Sequence, residues 1–271
     1  MPHIDVPGAS LYYETAGHVS APALLLLHAG IANLRMWDPQ VEALAADHFV
    51  IRFDSRGFGQ TTSEDVRFSN RDDARAVLDH LGIAAATLVG CSRGGSIAID
   101  VAAETPERVR GLVTIGSGPS GFPEVELTDV EDAAFDRVDE AFEAKDWHLL
   151  ARLEVALWAI GPLRREEDLD PEFVSLAYEL NRVNVVHAEE CPVPVPLDPP
   201  AFDRLVDIEV PALVTVGAFD ITPVLAQYEY LLSALPNARG VTFRDAAHLP
   251  SVELPAEFEQ VLLDWLTEKG L

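Results

Sequence analysis

The pentapeptide Gly90-Cys91-Ser92-Arg93-Gly94 constrains this chain more than any other stretch. Residues 86–89 before it form a short apolar run that reads as a buried strand, and residues 96–103 after it read as a helix. A G-x-S-x-G turn between a strand and a helix has to be sharp, and it lifts the serine hydroxyl above the sheet. The serine is strained there and leaves little room for nearby β-carbons, so Gly90 and Gly94 are steric requirements. The helix start adds free backbone N–H groups beside the serine, suited to a developing negative charge. With 17 glycines and 12 serines in 271 residues, chance produces this pattern in roughly one chain in twenty. On its own, therefore, the pentapeptide is also compatible with a plain glycine-rich turn.

What lies downstream separates the two cases. Asp220 and His248 each stand just past a predicted strand, giving the chain order Ser, Asp, His. Apolar runs predict strands over residues 3–6, 10–15, 24–27, 49–54, 86–89, 109–115, 211–217 and 241–244. The four leucines of 24–27, between Pro22 and Gly30, are too few for a helix and read as a central strand buried on both faces. Helical spacing covers 36–46, 71–81, 224–235 and 255–269. Residues 131–144, 147–160 and 171–187 also have helical spacing, no strand is expected among them, and the proline-rich 193–200 predicts no regular structure. The expected organisation is an α/β core from 1–121 and 201–271, with 122–200 inserted as a helical cap. Alternating strands and helices predict a mostly parallel sheet of about eight strands, with chemistry beyond the strands' carboxyl ends.

Composition removes several classes of function. A chain of 271 residues, 48% hydrophobic, is long enough to bury one large core. It has no run of about 18 apolar residues, so no transmembrane helix is expected. The amino terminus has neither a basic start nor an apolar core, and the only cysteines, Cys91 and Cys191, lie in unlike contexts. Both features predict reduced thiols and a cytoplasmic location. Cys91 reads as a small packing residue rather than a second nucleophile. The net charge of −26 argues against nucleic acid or an anionic membrane as partner. Residues 123–200 hold 20 Asp and Glu against 6 Lys and Arg, a net −14 and more than half of the excess. That segment reads as a solvated acidic surface, or as a field that repels anionic substrates. There is no H-E-x-x-H, cysteine cluster or P-loop, so neither a metal nor a cofactor is expected.

Taken together, His28-Ala29-Gly30, Asp54-Ser55-Arg56-Gly57-Phe58-Gly59, the Ser92 turn, Gly217-Ala218-Phe219-Asp220 and His248 before the last helix resemble the α/β-hydrolase family. The resemblance covers the chain apart from the cap. Within the family the chain is most similar to small bacterial esterases and lactonases of the enol-lactonase sort, on size, a modest cap and residues 157–162. It implies a backbone N–H of Gly30 in the oxyanion hole beside that of Arg93. Ala29 departs from the family's usual His-Gly pair and requires an ordinary backbone angle there.

The chemistry follows from residue types. A serine hydroxyl is a poor nucleophile at neutral pH and needs an adjacent base, which His248 can supply. Asp220 would fix the imidazole tautomer and stabilise the imidazolium. Asp245 lies only three residues before His248 and reads as a capping or surface acid, His28 as a loop-ordering residue and Asp54 as a loop brace. Arg93 either packs between helix and sheet, pairing with Asp100 or another acid, or meets a substrate carboxylate. Trp37 and Trp158 are the candidate substrate-lining residues. Arg164-Arg165 reads as a helix-end charge pair rather than an anion clamp. The expected activity is hydrolysis of a small carboxylic ester or lactone by a monomer or homodimer. The same triad could serve C–C bond hydrolysis or perhydrolysis, and the fold could serve as a non-catalytic small-molecule binder.

Overall fold

The computed structural model describes residues 2–271. Its sheet starts with a hairpin, β1 (His3–Val6) and β2 (Ala9–Ala16), followed by β3 (Ala23–Leu27), α1 (Asp38–Leu44) and β4 (Phe49–Phe53). Two short strands, β5 (Thr62–Ser63) and β6 (Arg67–Phe68), precede α2 (Asn70–His80), β7 (Ala86–Cys91), α3 (Arg93–Glu104) and β8 (Val109–Ile115). A helical stretch then carries α4 (Asp129–Glu143), α5 (Trp147–Glu154) and α6 (Pro171–Arg182), closed by the short β9 (Val193–Pro194). The chain finishes with β10 (Ala212–Gly217), α7 (Thr222–Ala234), β11 (Ala238–Phe243), α8 (Pro250–Glu253) and α9 (Pro255–Lys269).

The strand order is β1-β2-β4-β3-β7-β8-β10-β11, with β5 pairing β2 off the edge. The pairs β1–β2 and β2–β4 are antiparallel, and every pair from β4 to β11 is parallel. From β3 the chain steps one way to β4 and later the other way to β7. The loops leaving β3 and β7 therefore diverge at the sheet's switch point and open a crevice at the carboxyl ends. Those two loops carry Gly30 and Ser92.

The leucine run shows why the sheet is buried on both faces. Leu25 and Leu27 face a cluster built with Val77 of α2, Ile97 of α3 and Val224 of α7. Leu24 and Leu26 point to the opposite cluster, with Leu44 of α1 and Phe258 and Trp265 of α9. This is the period-two alternation of a strand with apolar layers on each side, and each buried leucine contributes about 2 kcal/mol.

Two expectations are corrected. Residues 193–200 do contain a strand: β9 lies parallel to β6, with Val193 N donating to Val66 O and Val195 N to Phe68 O. Both donors flank Pro194, so the proline is never asked for an N–H. The predicted helix 147–160 also changes its winding. It is α-helical to Glu154 and π-helical over Val155–Ile160, where Gly161 N reaches back to Ala156 O at 3.1 Å, five residues away.

Candidate active site

Ser92 sits between β7 and α3 with φ 52° and ψ −120°, a strained conformation for a residue with a β-carbon. The turn closes only because its neighbours lack side chains: a β-carbon on Gly90 would lie 2.4 Å from Gly94 O, and one on Gly94 2.3 Å from Leu27 O. Ser92 N donates to Ile115 O at 2.7 Å and fastens the turn to β8. Arg93 opens α3, so its amide has no carbonyl within the helix to bond, and the Gly30 amide is likewise unpaired among the described residues. Ala29 adopts no left-handed angle, and its carbonyl accepts from His28 Nδ1.

Asp220 and His248 come from the loops after β10 and β11. Asp220 Oδ2 lies 2.7 Å from His248 Nδ1, while Oδ1 accepts from the Ile221 amide at 2.9 Å. The carboxylate holds the proton on Nδ1 and leaves Nε2 as the acceptor. Nε2 is buried and makes no hydrogen bond, so the Ser92 hydroxyl is not bonded to it in this conformation. Such bonds are often long before substrate binds and tighten in the complex. The imidazole is covered by the Trp158 ring, centroids 4.7 Å apart, and the His248 amide donates to Trp158 O.

A shell of buried polar residues fixes these loops. Gly116, at the end of β8, has φ 54°, and a β-carbon there would stand 3.0 Å from both Asp220 Oδ2 and His248 Nδ1. Arg164 and Glu253 form a buried ion pair, and Glu253 Oε2 accepts from the Ala247 amide, next to His248. Arg165 turns outward to Glu167 and Asp168. Asp54 accepts from the Leu34 and Gln60 amides, both at 2.8 Å, although burial still raises its carboxyl above the usual range. Asp245 is exposed and presents only its carbonyl, to Arg164.

His28 is sealed beneath the β3 loop. Its Nδ1 donates to Ala29 O and its Nε2 accepts from Ser55 N, and burial together with the Arg93 charge lowers its pKa to about 3. It is therefore a neutral brace across the working range. Arg93 extends away from the serine. Its guanidinium lies over the Phe58 ring at 5.0 Å and donates to Asn70 Oδ1 at 2.8 Å, and burial lowers its pKa to about 10. Asp100 instead accepts from Ser120 Oγ and lies 3.9 Å from Arg71, so it is not Arg93's partner. Cys91 packs its thiol against His248 O, and burial pushes the thiol pKa well up, which keeps it from acting as a nucleophile.

One predicted lining residue moves. Trp37 is 1% exposed and packs against Phe258 of α9, so it belongs to the core and not to a substrate cavity. Sequence reasoning missed Gly116 and Glu253 as site-building residues. The only signal for the first is the glycine-rich 116–118 at a strand end, and for the second there is none. No group of three or more His, Cys, Asp or Glu among the described residues is arranged to hold a metal ion.

A strained serine at the switch point, with an acid–imidazole pair on the loops after β10 and β11 of the same parallel sheet, defines a hydrolase-type scaffold. The α/β hydrolase fold family model matches residues 22–255, and the chain belongs to that family. Among its relatives is a protein assigned as the carbamate hydrolase RutD of Azorhizobium caulinodans, 29% identical over 99% of each chain. The 3-oxoadipate enol-lactonase 2 of Acinetobacter baylyi is 26% identical, covering 93% of this chain and 91% of its own. The crystal structure of the enol-lactonase from Burkholderia xenovorans LB400 superposes with a TM-score of 0.79 at 25% identity, over 98% of this chain and all of that one. Among the described residues, no helix is long and apolar enough to cross a membrane.

Proposed function

We propose that this chain is a serine hydrolase of small carboxylic esters or lactones, with Ser92 as nucleophile, His248 as base and Asp220 as its orienting acid. The observation that carries this is the buried Asp220–His248 pair, 2.7 Å apart, with Nε2 left free and the His248 carbonyl 3.6 Å from the Cys91 thiol, next to the strained serine. His248 Nε2 takes the Ser92 proton as Oγ attacks the acyl carbon, and Asp220 stabilises the imidazolium. The oxyanion is held by the Arg93 and Gly30 amides, each such donor contributing about 3–4 kcal/mol to the barrier reduction. The imidazolium then protonates the leaving oxygen. Water, activated by the same imidazole, cleaves the acyl-enzyme and restores Ser92.

Residues 122–200 act as the cap over this site, and the rest forms the core. The enol-lactonase relatives support the choice of oxygen esters. The two unpaired cysteines fit work in a reducing compartment such as the cytoplasm. The test is hydrolysis of p-nitrophenyl acetate together with labelling by a fluorophosphonate probe. Wild type should turn over and be labelled on Ser92, while Ser92→Ala and His248→Ala lose at least about 1,000-fold in kcat. Wild-type turnover no better than the variants discards the assignment.

A further inference from the structure

Beside the oxyanion-hole loop lies a cavity of about 190 Å³ that the proposed chemistry does not use. One wall is Gly30 and Phe58. The other comes from the helical segment, with Trp147 and Glu154 of α5, Asn181 of α6 and His187 just beyond it. The space is below the ~300 Å³ of a pocket for a drug-sized ligand, so it fits one head group rather than a whole molecule.

Its polar lining is unbalanced. Asn181 Nδ2 donates to Ala151 O at 3.2 Å and to Glu154 Oε2 at 2.8 Å, which fixes the amide with its carbonyl oxygen free. Glu154 Oε1 has no hydrogen bond either, and no Lys, Arg or His lies within ion-pair distance of this carboxylate among the described residues. Neither free oxygen is among the sealed, unpartnered atoms of the interior, so both remain reachable. His187 cannot compensate, because Nδ1 is 2.7 Å from Glu190 Oε1 and Nε2 is 2.9 Å from Gly59 O. Arg93 is turned toward Asn70 on the Phe58 ring, near Asp73. A largely buried carboxylate with a single hydrogen bond is costly unless a cation joins it, and burial raises the Glu154 carboxyl above the usual range.

We propose that this cavity is a subsite for a cationic, ammonium-type group on the substrate, seated by Glu154 and the Asn181 carbonyl between the rings of Phe58 and Trp147. It rests on the assignment of Ser92 as nucleophile only in that the reacting carbonyl is then placed at the Gly30 end. Carboxylate and aromatic faces are the two surfaces that hold a desolvated ammonium. The net −14 of residues 123–200 acts in the same direction at longer range, drawing cations toward the cavity and repelling anions.

Two isosteric pairs test this, one for each side of the ester. On the leaving side, acetylthiocholine is compared with 3,3-dimethylbutyl thioacetate. On the acyl side, phenyl 4-(trimethylammonio)butanoate is compared with phenyl 5,5-dimethylhexanoate. Wild type should favour the cationic member of at least one pair by about tenfold in kcat/KM, mostly through KM, as one ammonium–carboxylate–aromatic contact predicts. Glu154→Gln, which keeps size and shape, should bring that ratio close to one. The same pairs titrated calorimetrically into Ser92→Ala report binding without turnover, so a failure of the esterase assignment is separated from a failure of the subsite. Wild-type preference for the neutral member in both pairs overturns the subsite, as does a cationic preference that survives in Glu154→Gln or calorimetry showing no tighter binding of either cation.

Discussion

Trp158 holds His248 from two directions: its ring lies 4.7 Å from the imidazole, and its carbonyl accepts the His248 amide. The wider turn of the π-helical segment Val155–Ile160 brings it there, and Phe135 of α4 packs edge-on behind it. A ring on that face limits tilting of the imidazole and keeps water off it. Trp158→Ala should lower kcat by about tenfold, the worth of one buried aromatic pair, while Trp158→Phe retains most of it. Stopped-flow or steady-state hydrolysis of an aryl acetate measures both.

Gly116 makes a different demand. Its φ of 54° costs a residue with a β-carbon about 1–2 kcal/mol, and that carbon would press on the Asp220–His248 hydrogen bond from 3.0 Å. Gly116→Ala should therefore lose activity out of proportion to stability. A tenfold or larger fall in kcat is expected with a urea transition that stays cooperative and loses only about 1–2 kcal/mol, and unchanged kcat would show that the pair yields freely.

The Arg164–Glu253 pair links the helical segment to the loop that presents His248. Both side chains are buried, so removing Glu253 leaves the Arg164 charge with no counter-charge, held only by the carbonyls of Ala159, Ile160 and Asp245. Glu253→Ala should cost about 3–5 kcal/mol in urea denaturation. The double change Arg164→Met with Glu253→Leu should cost less than Glu253→Ala alone, because no orphan charge remains.

His28 provides the pH dependence. Its folded pKa of about 3 lies below the ordinary 6.5, so between those values the unfolded chain binds a proton that the folded chain refuses. Stability therefore falls as pH drops below about 6.5, by up to ~1.4 kcal/mol per pH unit, and the loss is complete near pH 3. The buried carboxyls Asp54, Asp73, Asp100 and Glu154, all shifted upward, act in the opposite sense at lower pH. The difference between wild type and His28→Asn isolates the histidine. Urea denaturation at pH 7, 6 and 5 should show a shallower decline in the variant.

Most of the fold was legible because its signals are local. Leu24–Leu27 cannot be anything but a double-faced strand, and glycines punctuate the strand ends that carry Gly30, Ser92 and Asp220. The short pairings were not legible, since two residues show no period and β6–β9 depends on a contact between positions 67 and 193. Trp37 is near His28 in sequence, which suggests the site, but the 3-10 turn Leu34–Trp37 before α1 points it toward Phe258 at the far end of the chain. Long-range polar partners such as Glu253 under Ala247 leave no mark in a single sequence, because an acid on a short helix looks like any surface acid.

Of the two cysteines, Cys91 is sealed behind the His248 loop and Cys191 is exposed, its amide bonded to Asp65 just before β9. A maleimide dye would therefore attach at one place without mutagenesis. That place sits beside the two-stranded β6–β9 pairing that ties the end of the helical segment to the stretch before α2, so its fluorescence anisotropy would report whether the segment lifts during turnover.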